Sequence, residues 1–171
     1  MLDARLETIL EEGEFAPADS CALRDLQAEV GGSAWNRRIL ARWLSAPGVE
    51  ARVLRERAQP GPPIAFFVLH SPPPSVVGDV YLANFGVARA WRRRGVGSFA
   101  LRCVEERARR RGSRRIVLHV QEHNLAAQCL YRSMGYRVVQ IERAGYVDED
   151  AYRMVHALGG AHPARTVRGL D

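Results

Sequence analysis

Arg92-Arg93-Arg94-Gly95-Val96-Gly97-Ser98 decides the fold of this chain. It lies between an apolar and aromatic run, Val76 to Val87, that reads as a strand, and a stretch of helical periodicity that begins at Gly95. Glycines at a strand-to-helix turn let backbone amides come close to an anion, and the helix that follows adds its positive end. The pattern therefore predicts a pyrophosphate site. The third glycine of the dinucleotide fingerprint and the Gly-Lys-Ser/Thr of the phosphate-binding loop of ATPases are absent, so neither of those folds is indicated.

Outward from this turn the elements follow one another without a linker. The helix carries an apolar stripe of Val96, Phe99, Ala100, Cys103, Val104 and Ala108, with Arg102, Glu105, Glu106, Arg109 and Arg110 expected to face water, and Gly112 closes it. Ile116 to Gln121 alternates as a strand, with Ile116, Leu118 and Val120 on one face and Val117, His119 and Gln121 on the other. Asn124 is placed to cap a helix that runs through Met134 and ends at Gly135. Tyr136 to Ile141 and Asp150 to Leu158 read as a final antiparallel pair. Upstream, Val49 to Arg57 and Ile64 to His70 are strands bounded by Pro/Gly clusters. Earlier still, Leu2, Leu6, Ile9 and Leu10 recur at helical spacing. A second helix starts after Asp19-Ser20 and ends at Gly31-Gly32, and a third ends at Ser45. Gly159 to Asp171 has few apolar anchors and is expected to be a frayed tail. Strands interleaved with helices predict an α+β fold with helices on both faces of a mixed sheet.

Length and composition bound the function. At 171 residues, one domain over 1–158 with a helical extension over about 1–13 is the expectation. No apolar run reaches the roughly 20 residues that span a bilayer, and the acidic start lacks the marks of a secretory signal, so a soluble cytoplasmic chain is expected. Cys21, Cys103 and Cys129 are odd in number and widely spaced, which argues against disulfides and metal ligation and predicts buried thiols. The net charge is +6, and the basic residues gather between Arg89 and Arg115. Such a run raises the possibility of nucleic acid, but Glu105 and Glu106 interrupt it and no interleaved aromatics accompany it, so a cofactor phosphate is the better account.

The turn, with Val87 five residues before Arg92, resembles the signature of the GNAT superfamily of N-acetyltransferases. The downstream run Leu118-His119-Val120, Asn124, Ala127, Leu130-Tyr131 and Met134-Gly135-Tyr136 is similar to the second half of that signature. Good matching covers Val76 to Leu158. The resemblance implies a mixed, mostly antiparallel twisted sheet of six to seven strands flanked by about four helices and splayed between the fourth and fifth strands. It implies acetyl-CoA as co-substrate and no metal. It assigns backbone contacts to Phe85, Gly86 and Val87, pyrophosphate contacts to the amides of Arg93, Arg94, Gly95, Val96, Gly97 and Ser98, and a further contact to Asn124. Arg92 and Arg93 are candidates for the 3'-phosphate, and three adjacent arginines leave the choice open. A closer resemblance, through Asn84-Phe85-Gly86-Val87, Asn124 to Tyr131, and the ending from Glu142 to Met154, is to ribosomal-protein alanine N-acetyltransferases and the catalytic subunits of N-terminal acetyltransferases.

Moving an acetyl group from a thioester to an amine needs a neutral amine, a donor for the developing oxyanion and a proton for the thiolate. The resemblance gives the oxyanion to the amide of Val87 and the proton to Tyr131. His119 stands where close relatives carry a glutamate base, and an imidazole can still take the proton of an α-ammonium. Tyr81 occupies the position of another acidic residue in other branches, and Tyr146 is expected to wall the acceptor slot. A family proline is replaced by Arg89. The acceptor favoured is a peptide or protein N-terminus, on a monomer or homodimer, with neither nucleic acid nor membrane as partner. A small amine (polyamine, aminoglycoside or amino acid) or a non-catalytic acetyl-CoA sensor are the alternatives.

Overall fold

The computed structural model describes residues 2–30, 37–59, 61–73, 76, 78–146 and 149–159. In chain order the elements are α1 (Leu2–Ile9), β1 (Leu10–Glu14), α2 (Ser20–Val30), α3 (Arg37–Leu44), β2 (Val49–Glu56), β3 (Ala65–His70), β4 (Val80–Val87), α4 (Val96–Arg110), β5 (Arg115–Gln121), α5 (Leu125–Ser133), β6 (Arg137–Tyr146) and β7 (Glu149–Ala157). The expected tail beyond Gly159 lies outside the described residues.

The strands form a 7-stranded sheet in the order β1-β2-β3-β4-β5-β7-β6. Every neighbouring pair is antiparallel except β4 with β5. Alternation along the strands sorts their side chains to two faces. Phe67, Leu69, Val80, Leu82, Ile116, Leu118 and Val120 pack under Leu101, Val104 and Ala108 of α4 and Tyr131 of α5. Val53, Phe66 and Val68 turn the other way, under Leu23, Leu26 and Leu40 of α2 and α3. Two layers of helix thus sandwich the sheet, as the alternating strand and helix pattern predicts.

Three details depart from the sequence reading. Leu10–Glu14 is a strand rather than the end of the first helix, registered from Leu10 against Glu56 to Glu14 against Arg52. Leu10 keeps the helical spacing of Leu2, Leu6 and Ile9, which carries the expected helix past it. The carboxylates that follow are ion-pair partners across the sheet: Glu12 takes Arg52 at 2.9 Å, and also takes Arg107 of α4. The fourth strand begins at Val80, not Val76. Glu105 does not face water, because it lies between Leu101 and Ala108 on the buried stripe, with a side chain 9% exposed that pairs with Arg109 at 3.1 Å.

The thiols also differ from expectation. Cys21 and Cys129 are exposed, and only Cys103 is partly buried. Burial, then the neighbouring Glu12 carboxylate, pushes the Cys103 thiol up to about 12.

Candidate active site

β4 and β5 pair over only three positions, Val80 with Ile116, Tyr81 with Val117 and Leu82 with Leu118. Beyond Leu82 they part. β4 continues with β3, and β5 continues with β7 to Gln121. An irregularity in the β3–β4 register helps to turn the strand, since Leu69 faces Leu82 and Val68 faces Asn84, leaving Ala83 as an extra residue. The gap between the strands is the floor of a cleft of about 590 Å³.

Backbone groups line this gap. Ala88 donates to Ile64 across the β3–β4 ladder at 2.8 Å. Because antiparallel residues alternate in their bonding direction, Gly86 and Asn84 also face β3, and the amides of Phe85 and Val87 point toward the departed β5. The Phe85 amide is taken by the Asn84 side chain at 2.9 Å, which leaves that of Val87 as the donor offered to the cleft. The Val87 carbonyl accepts from Arg92 Nε at 3.0 Å, tying the following loop to the strand end.

That loop builds an anion cradle. Arg93 has φ 61 and Gly95 φ 84, so the chain makes two left-handed steps before α4 begins, the second at its N-cap. Such steps turn successive amides inward. The Phe99 amide bonds the Gly95 carbonyl at 2.9 Å, so the amides of Val96, Gly97 and Ser98 in the first turn have no intrahelical acceptor and suit a phosphate. Arg92, Arg93, Gly95, Gly97 and Ser98 line the cleft. The three arginines separate here: Arg94 is stacked over the Trp91 ring, 5.7 Å from its centroid, and is not among the lining residues. The Val96 side chain is buried in the core, so only its backbone can serve.

α5 forms the opposite wall. Asn124 caps it, its side chain accepting from the Ala127 amide at 3.1 Å. Gln128 donates to the carbonyls of Gln121 and Glu122 at 3.0 and 2.7 Å and fixes the corner between β5 and the helix. Tyr131 is held by Phe85 and Tyr136, with ring centroids 6.2 and 5.6 Å away; it is 6% exposed and lines the cleft.

The other face of the gap holds a different chemistry. Tyr81 and His119 alternate with core residues and so project toward the α2 and α3 side. The Tyr81 hydroxyl is 3.0 Å from His119 Nδ1, and His119 Nε2 is 3.0 Å from Glu142 Oε1 of β6. Trp43 of α3 packs beside Tyr81 and edge-on to His70, at 6.5 and 6.1 Å. Sequence reading missed Glu142 and Trp43 as site residues. Glu142 belongs to the terminal stretch that carried the closer resemblance, but its place depends on strand register. Tyr146 ends β6 opposite Glu149, and its side chain lies outside the described residues.

Phe85, Gly86, Val87, Arg92, Arg93, Gly95, Gly97, Ser98, His119, Asn124 and Tyr131 therefore converge on one cleft, whereas Arg94, the Val96 side chain and Tyr81 lie apart from its lining. Among the described residues no group of three or more His, Cys, Asp or Glu is arranged to hold a metal ion, and no helix is long and apolar enough to cross a membrane.

Comparison with known proteins fits this geometry. Residues 21–136 match the sequence model of the acetyltransferase (GNAT) family. An uncharacterized N-acetyltransferase of Bacillus subtilis (strain 168), YdgE, is 40% identical over 63 residues, which are 37% of this chain and 40% of that protein, so the match spans well under two thirds of that relative. The ribosomal-protein-S18-alanine N-acetyltransferase from Escherichia coli superposes with a TM-score of 0.77 at 22% identity, over 91% of this chain and 98% of that one. NAA60 of Arabidopsis thaliana, solved in complex with acetyl-CoA, gives 0.75 at 19% identity over 88% and 99%. At these identities the superpositions establish a shared fold.

Proposed function

Because this chain belongs to the GNAT acetyltransferase family, we propose that it carries acetyl from acetyl-CoA to the α-amine of a peptide or protein N-terminus. The observation that carries the reading is the placement of two proton-handling groups on opposite faces of one strand gap. Tyr131 lies on the α4 and α5 side, and the Tyr81–His119 pair on the α2 and α3 side.

In this reading acetyl-CoA supplies an activated acyl group, and the chain does the rest. The amides of Val96, Gly97 and Ser98, with Arg92 and Arg93, hold the diphosphate and its neighbouring phosphate. The Val87 amide faces the thioester oxygen, where negative charge grows as the amine attacks. Tyr81 takes a proton from the attacking nitrogen while passing its own to His119 Nδ1, so one N–H bond breaks, the phenol is restored and an imidazolium forms. Tyr131 gives its proton to the departing sulfur, so its O–H bond breaks as the S–H bond forms, and the phenolate left behind regains a proton from solvent.

Acceptor choice rests on the Trp43 and Tyr81 rings, 6.5 Å apart on the α2 and α3 side of the gap. Transfer from labelled acetyl-CoA to a peptide library, set beside polyamines, aminoglycosides and free amino acids and read by mass spectrometry, tests it. Labelled peptide N-termini are expected. Labelling of free amines alone would move the acceptor to the small-molecule class, and coenzyme binding with no transfer would make the chain a sensor. Alongside, His119→Ala is expected to lower kcat about 100-fold while the KM for acetyl-CoA stays put.

A further inference from the structure

We propose that Glu142 is a positioning residue for the proton relay, selecting the tautomer of His119 from two strands away; this rests on the reading of His119 as the base that receives the amine's proton through Tyr81. The register makes the contact possible. On β7, Arg153 is directly opposite His119, and Ala151, two residues along on the same face, is opposite Gln121. Glu142 of β6 is opposite Ala151. Its side chain therefore crosses β7 diagonally at the position where that strand carries only a methyl group, and meets the imidazole at 3.0 Å. A larger residue at 151 would stand in its path.

An ionised carboxylate can only accept, so Nε2 of a neutral His119 must carry the hydrogen. Nδ1 is then the bare nitrogen, and the Tyr81 hydroxyl 3.0 Å away must donate to it. The whole chain acquires one direction, from Tyr81 through His119 toward Glu142, which is the direction a proton must take from the acceptor amine. Among the described residues, the charged and polar groups on the same face as the ring include Tyr81 from β4, Gln121 two residues along β5, Arg153 across the β5–β7 ladder and Gln140 beyond Arg153 on β6, with Glu142 the carboxylate in contact. With glutamine at 142 the amide can turn its NH₂ toward Nε2, which puts the hydrogen on Nδ1 and removes the lone pair that Tyr81 needs. The side chain of Glu142 is 37% exposed on an edge strand, so its replacement leaves the core intact.

The test uses the full chain as Glu142→Gln, Glu142→Ala and Glu142→Asp. The ¹⁵N shifts of the His119 ring report the tautomer, and steady-state kinetics separate kcat from the KM for acetyl-CoA. The wild type is expected to show the Nε2–H form alone. In Glu142→Gln the ring is expected to become mixed or Nδ1–H, with kcat lowered about 10–100-fold, no more than the loss of the base itself would cost, and the coenzyme KM unchanged. Glu142→Asp, which keeps the acceptor on a shorter stem, should recover part of kcat. A Glu142→Gln protein with the wild-type ring signature and wild-type kcat overturns the positioning role while an inactive His119→Ala leaves the base assignment standing. Full turnover in His119→Ala overturns both.

Discussion

Gly95→Ala probes the anion cradle most directly. Gly95 has φ +84, and a Cβ built there would lie 3.2 Å from Leu6 Cδ1 of α1. A left-handed conformation costs a residue with a Cβ about 1–2 kcal/mol. The contact with Leu6 is tighter than ordinary van der Waals packing, so α1 must give way by a few tenths of an ångström, which brings the total to about 2–3 kcal/mol. At this chain length each kcal/mol moves the melting temperature by about 2–4 °C, so a fall of about 4–12 °C is expected. The same strain displaces the amides of the first turn of α4. Hydrogen bonds to a charged group contribute about 1.5–3 kcal/mol each, and partial loss of one weakens acetyl-CoA about tenfold. Gly112→Ala is the control. Gly112 also has positive φ, +72, but nothing lies within 4 Å of its Cβ position, and it is at the far end of the helix. It should melt a few degrees lower and bind the coenzyme as the wild type does. Isothermal calorimetry and thermal melts of both variants decide the matter. Equal coenzyme affinity in Gly95→Ala and Gly112→Ala would refute the assignment of this turn to the diphosphate.

Tyr131→Phe should lower kcat at least tenfold with little change in the KM for acetyl-CoA, measured by release of free thiol; unchanged turnover would show that solvent protonates the sulfur. Thiol labelling at pH 8 should modify Cys21 and Cys129 quickly and Cys103 only on unfolding, and acetyl-CoA should shield Cys129, which lines the cleft, without shielding Cys21. The same buried thiol makes stability depend on alkaline pH. The unfolded chain releases the Cys103 proton above its ordinary 9.0 while the folded chain keeps it to about 12, so stability present below pH 9 should decline across that interval. The Tyr136 hydroxyl is buried without a hydrogen-bond partner among the described residues. Tyr136→Phe should therefore leave the melting temperature level or raise it, and a large fall would mean that the hydroxyl is satisfied by bound water.

What the sequence showed plainly was local. The glycines of the turn, the Asn124 cap and the alternation of Ile116 to Gln121 each follow from the conformational limits of a few adjacent residues, and all stand in the structure. What it concealed depends on partners distant in the chain. Leu-Glu-Glu-Gly-Glu has no strand propensity to speak of, and becomes β1 because β2 offers a ladder and arginines. Glu105 follows Leu101 by four residues and precedes Ala108 by three, so strict attention to helical angle would have put it on the buried stripe. Charge suggested solvent instead. Glu142 is 23 residues from His119, and the skipped position at Val139 shifts the β6 register, so no spacing rule could have paired them.

The parting of β4 from β5 turns the sheet into a partition with an aperture. On the proposed reading, donor and acceptor approach that aperture from opposite faces of the sheet, so the acceptor has to deliver one nitrogen into it, whatever bulk trails behind. On the same reading, changes to Trp43 are expected to retune which guest is admitted without disturbing the nucleotide berth on the other face.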